Sequence, residues 1–177
     1  MPKSCAALLL LGVVAAGIAW APGAFAQNEG QPALVGQYGD WGVYAGTNGG
    51  RKVCFALTQP ASSETDPPNR PRDPIYLFVS TRPAENVRDE VSIIIGYPLR
   101  RGSDVAVEIG EAKFELMTQD DNAWVKNPAD EPRLVEAMRK GSEMIVRGVS
   151  ARGTRTTDKF SLKGISQALD RVAQECR

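Results

Sequence analysis

The 177-residue chain contains no histidine. That absence removes the usual general base at neutral pH, the commonest nitrogen ligand for metals and the partner of most Ser and Cys nucleophiles. A Walker phosphate loop, a G-x-S-x-G elbow, an S-x-x-K motif and a C-x-x-C pair are missing too. Nucleotide hydrolysis, serine-hydrolase chemistry and local dithiol redox chemistry lose their ordinary sequence signatures with them. Neither sign of charge is in excess, with 21 Lys and Arg against 21 Asp and Glu, so no overall field gathers nucleic acid or an anionic membrane. Past the first 26 residues there is no apolar run of bilayer length, no heptad pattern and no repeat of solenoid period. No cofactor motif is found.

What is present begins with an export leader. Lys3 precedes an apolar run over residues 6–20 that is long enough for a signal h-region and short for a bilayer-spanning helix. Pro22 and Gly23 interrupt it, and Ala24-Phe25-Ala26 offers small side chains at the two positions a signal peptidase must fit. The expected cut falls before Gln27, leaving no stable membrane anchor and placing the mature chain in the periplasm or outside the cell. Cys5 stands before the h-region and leaves with the leader, so a lipoprotein is not indicated. Removing 26 residues from 177 leaves 151, suited to one domain. Loss of Lys3 takes the basic count from 21 to 20 against 21 acidic residues, a net charge of −1.

Two cysteines, Cys54 and Cys176, remain after processing, in an oxidising compartment. A disulfide is the simple reading, and two buried free thiols the alternative. The bridge would close a loop of about 120 residues, for which chain entropy gives an upper figure of roughly 4 to 5 kcal/mol.

Residues 27–36 are rich in Gly, Pro, Asn and Gln and read as a flexible N-terminal arm, with the domain running over 37–177. Residues 38–44 form an extended apolar pattern, and 47–50 a hairpin turn leading to a return strand over 52–59. On that strand Val53, Phe55 and Leu57 share one face and Cys54, Ala56 and Thr58 the other, both expected to be at least partly covered. Five prolines between 60 and 74 predict a long exposed loop with no ladder. Short β-rich segments follow at 75–80, 90–97, 104–109, 113–118 and 123–126, and again at 143–150 and 154–162. A short helix is expected after Asp130 as N-cap, carrying Leu134, Val135 and Met138 and ending at Gly141. Ile165, Ala168, Leu169, Val172, Ala173 and Cys176 lie on one stripe of a C-terminal helix. If that helix lies across the outer face of the Cys54 strand, the disulfide pins helix to sheet and Ala56 leaves room. The fold class is mainly β: a single antiparallel β-sandwich or barrel-like domain with a short internal helix and a C-terminal helix packed on the sheet.

Candidate chemistry is sparse. Glu108 with Glu111, or Asp89 with Glu90, would flank a sugar bond as acid and base, but each lies at a strand end or turn where an acidic residue is simply solvated, and that is the stronger reading. Arg70, Arg72, Arg82, Arg88, Arg100 and Arg101 form local basic patches suited to acidic glycans or lipid head groups, or simply to solubility. Trp41 and Trp124 with Tyr38, Tyr44 and Tyr97 offer an aromatic face, or core and sheet-edge packing.

Several stretches resemble one family, the invasion-associated locus B proteins exported by Gram-negative bacteria. They are Tyr38-Gly39-Asp40-Trp41, Lys52-Val53-Cys54-Phe55-Ala56-Leu57-Thr58-Gln59, Gly141-Ser142-Glu143-Met144-Ile145-Val146, and Phe160-Ser161-Leu162-Lys163-Gly164 followed by the Ala168 helix and Cys176. Many members carry a further Cys shortly after the Gly-Asp-Trp strand, where this chain has Val43-Tyr44-Ala45-Gly46, so a pairing through that Cys does not transfer. The resemblance implies a small exported β-rich domain with no enzymatic activity assigned. It also implies a role in host-cell invasion or, equally, in envelope maintenance, with an envelope or host-surface protein or a glycan as partner. Two rival expectations are a periplasmic carrier of a small apolar or lipid ligand, which needs an apolar cavity, and a carboxylate-dependent envelope hydrolase, which needs a cleft between two carboxyl groups.

Overall fold

Alternation of apolar and polar side chains writes two faces into almost every strand of this chain, and the fold follows from burying one of them. A computed structural model describes residues 30–177; the leader and the start of the arm lie outside them. Among the described residues eleven strands form one antiparallel sheet: β1 (Ala33–Tyr38), β2 (Trp41–Asn48), β3 (Arg51–Thr58), β4 (Ser62–Asp66), β5 (Tyr76–Arg82), β6 (Val87–Ile94), β7 (Val105–Ile109), β8 (Ala112–Gln119), β9 (Asn122–Val125), β10 (Glu143–Val149) and β11 (Arg155–Ser161). Their spatial order is β1-β2-β3-β5-β6-β9-β8-β7-β10-β11-β4. Helix α1 (Glu131–Lys140) links β9 to β10, and α2 (Ile165–Glu175) ends the domain.

The sheet is open, with β1 and β4 as its edges, yet it curls until distant strands meet. The Trp41 indole N–H donates to the Ser161 carbonyl (3.1 Å), and Asp40 N–H donates to the Lys163 carbonyl (3.3 Å). This is the barrel-like alternative, in one sheet rather than two. Glycine permits the approach: Gly164, at φ +95°, lies so close that a Cβ would collide with the Tyr38 carbonyl oxygen, and Gly39, at φ +56°, faces the Lys163 carbonyl. Thr58 adds a bond from its hydroxyl to the Asp40 carbonyl (2.7 Å).

Fully buried Trp41, Leu77, Ile93, Leu116, Met144 and Phe160 fill the inner face. Helix α2 inserts Ile165, Ala168, Leu169 and Val172 among them. Its C-terminal Cys176 is bonded to Cys54, with Cα atoms 5.9 Å apart. The strand face that α2 covers is the core face, not the outer one. Cys54 and Ala56 are small enough to let the helix close, whereas Phe55 and Leu57 occupy the outside, where Tyr44 stacks on Phe55 (centroids 5.3 Å apart) and Phe55 meets Phe78 edge-on (5.8 Å).

Three local expectations are corrected. β1 begins at Ala33, inside the segment read as a mobile arm, and pairs with β2 through a register shift between Leu34 and Gly36. Residues 62–66 of the proline-rich stretch are not loop: they form β4, paired with β11 from Asp66↔Arg155 to Ser62↔Lys159. Both are edge strands. An edge strand pairs along one side and has little to bury, so polar composition and flanking prolines do not forbid it. At α1 the Asp130 side chain makes no capping bond; instead the Asn127 side chain accepts from Ala129 N–H (3.1 Å) in a preceding 3-10 turn.

Candidate functional site

The sequence-derived carboxylate pairs do not assemble a catalytic cleft. Glu108 is held by Arg147 (2.6 Å) across β7 and β10, and that hydrogen bond keeps its carboxyl below the usual range, the reverse of what a general acid needs. Glu90 is engaged by both Arg82 Nη atoms (3.1 Å each). Neither these residues nor Asp89 and Glu111 line either of the two clefts described below.

The recessed surface lies where the proline-rich segment crosses the sheet. On β11, Thr156, Asp158 and Phe160 point inward, so an aspartate stands fully buried on the core face. A carboxylate there requires a partner. Arg72 provides it, with Nη1 to Oδ1 and Nη2 to Oδ2 both at 2.7 Å, and its Nη2 also donates to the Ile95 carbonyl (2.7 Å). The Arg72 side chain is 8% exposed and that of Asp158 0%. The guanidinium lies over the Tyr97 ring, 4.9 Å from its centroid. Tyr97 and Thr156 hydroxyls share a 2.6 Å hydrogen bond. Burial pushes the Tyr97 hydroxyl above its ordinary pKa, against the opposing effects of the Thr156 bond and the Arg72 charge. Arg72 Nε is buried without a hydrogen-bond partner among the described residues.

This clamp fixes the proline-rich segment as one wall of a cleft of about 750 Å³. Pro67, Arg70 and Pro71 stand on that wall, Tyr97 and Pro98 lie along the β6–β7 connection, and residues 150–154 of the β10–β11 turn form the opposite wall. A bridge between Leu99 and Ser150 ties the connection to that turn. A second cleft of about 900 Å³ lies beyond Arg70 and Arg72, beside β4, with Gln59, Ser63, Glu64 and Asn69 in its lining.

Of the six arginines singled out in the sequence, Arg70 and Arg72 line the first cleft and Arg100 reaches its rim, its Nη2 lying 3.2 Å from where a Gly153 Cβ would stand. Arg82, Arg88 and Arg101 do not line it. Arg152 was missed as a site residue. No sequence signal pointed to it, because the β10–β11 turn is brought beside the exit of β4 only by the pairing of Arg155 with Asp66. Of the aromatic candidates, Tyr97 reaches the cleft, Trp41 is core, Tyr38 packs against the core, and Tyr44 and Trp124 are half-buried. The family-motif residues Gly39, Asp40, Trp41, Ser161, Leu162 and Gly164 meet at the sheet closure, and Gln59 lines the second cleft.

A family model described as invasion associated locus B protein matches residues 41–173. Among solved structures, the crystal structure of invasion associated protein B from Bartonella henselae is similar, at 20% sequence identity and a TM-score of 0.56. The match covers 80% of this chain and 96% of that one. No curated protein matches.

Proposed function

The chain belongs to the invasion associated locus B family, and from that premise we propose that it is an exported, non-catalytic interaction protein that holds its partner in the cleft beside Arg72. The partner is an envelope or host-surface protein or a glycan, and the role is host-cell invasion or envelope maintenance. One observation carries the reading: the Arg72–Asp158 clamp holds a concave, polar surface in place while using up its own charges. A binding site gains from walls that need no ordering. The leader and the disulfide support export. An apolar carrier is less favoured, because the side chains between the sheet and α2 are buried with almost no accessible surface and the clefts carry arginine and hydroxyl groups.

Capture from envelope extract with residues 27–177 tests this. Ala151, exposed on the turn wall, is replaced by Trp to fill the cleft. The native chain should retain a partner that Ala151→Trp loses while melting at the same temperature. A partner retained equally by both would place recognition elsewhere.

A further inference from the structure

We infer that the cleft recognises an acidic saccharide, Arg70 and Arg152 taking its carboxylate or sulfate while Tyr97 and Pro98 take the apolar face of a sugar ring; this rests on the cleft being the binding surface proposed above. Arg70, Arg100 and Arg152 come from three separate segments, and none has a carboxylate within 4.0 Å among the described residues. Arg82 and Arg147, elsewhere on the sheet, are each paired to a glutamate. Arg88 and Arg101 also lack a carboxylate partner among the described residues but do not line the recess, so what sets Arg70, Arg100 and Arg152 apart is their convergence on one concave surface. Beneath the cleft, Arg72 and Asp158 cancel, and of the carboxylates only Asp73 is in the lining. The recess is therefore locally positive in a chain whose mature charge is −1, and a concave wall of low dielectric concentrates that field.

Guanidinium groups bind carboxylate and sulfate through paired N–H donors. Charge alone would suit many anions, and the remaining lining narrows the class. Thr65 and Thr154 line the recess beside proline and tyrosine surfaces, whereas Ser150 and Thr156 are buried at its floor, the Thr156 hydroxyl bonded to Tyr97 and that of Ser150 accepting from Thr154 N–H. Polar groups beside apolar surface match a sugar ring, which has hydroxyls at its edge and C–H groups on its face. A volume of about 750 Å³ lies within the usual range for ligand sites and admits a short oligosaccharide. The flat plane of a membrane would reach the exposed Arg100 but not Tyr97 within the recess.

The test is calorimetric titration of residues 27–177 with a tetragalacturonate, a heparin-derived tetrasaccharide, a neutral galactose tetramer, tetraglutamate and phosphatidylglycerol vesicles. One or both acidic saccharides should bind, at least about tenfold more tightly than the neutral sugar or the peptide, and binding should weaken with salt. Which one binds distinguishes carboxylate from sulfate. Arg70→Gln with Arg152→Gln should weaken it by at least about tenfold and leave the melting temperature unchanged, since both side chains are exposed. Arg88→Gln, outside the cleft, should have no effect. Binding of neither acidic saccharide, equal binding of tetraglutamate, a preference for vesicles, or indifference to the double replacement would each overturn the inference. Partner capture lost in Ala151→Trp would still stand in any of those cases, so the two readings fail separately.

Discussion

Asp158 and Arg72 show how one residue on a strand face constrains a segment 86 positions away. Taking both charges out of water is costly, and the pair persists because its geometry is bidentate and the Ile95 carbonyl accepts a further bond. Asp158→Ala leaves a buried guanidinium without its counter-charge and is expected to cost about 3 to 5 kcal/mol. Arg72→Met combined with Asp158→Leu removes both charges and should cost much less. Urea unfolding of the two variants checks this; equal losses would show that packing, not charge, holds the segment. Glu131 behaves in the opposite sense. Its Oε1 accepts from Val91 N–H (2.6 Å), yet burial raises its pKa, helped by the charges of Glu90 and Asp89. The folded chain thus holds this proton more tightly than the unfolded chain. The resulting stability is present below the unfolded carboxylate value of about 4.3 and is lost as pH rises through the folded value. Glu131→Gln keeps an acceptor for Val91 and removes the charge. Its stability relative to the native chain should rise between about pH 4 and pH 7, as read from unfolding curves across that range; a flat difference would refute the assignment.

At the scale of elements, the disulfide and the glycine contact hold α2 at opposite ends. Gly164 brings the start of the helix against the Tyr38–Gly39 corner, and Cys176 ties its end to β3. Cys54→Ser should cost roughly 2 to 5 kcal/mol, with α2 becoming the first site of proteolysis. The rest of its buried stripe is short and does not hold an isolated helix. Denaturant unfolding together with limited proteolysis separates this from general weakening; first cuts in β6 would mean the bond does not secure the helix. Helix α2 was legible because its apolar residues recur at steps of three and four over a full stripe, whereas β1 and β4 were not. Ser62–Asp66 has no apolar alternation, and its strand state comes from pairing with β11 across 89 positions between Asp66 and Arg155. No local pattern encodes such a partner.

For the whole molecule, the expected leader would send the chain to an oxidising compartment, and such a compartment favours the Cys54–Cys176 bond that the structure contains. The exported chain is expected to start at Gln27, as mass spectrometry of the periplasmic or secreted protein will show; a terminus retaining Phe25 would refute that cleavage site. The strand-rich composition, the cysteines at 54 and 176 and the helical stripe determined the β class, an available disulfide pair and the apolar face of α2, and the lack of histidine removed the commonest general base. These are properties of residue type and of spacing within a few positions, which local sterics and periodic burial translate directly into structure. Which face of the sheet α2 covers was left to the tertiary structure. Tertiary structure alone decided that the sheet is one curled layer, that Glu108 and Glu90 are occupied by arginines, and that Arg70, Arg100 and Arg152 gather at one recess. Each of those outcomes depends on which strands lie side by side. That order is set by the summed burial of the whole inner face, so no single stretch of sequence carries it.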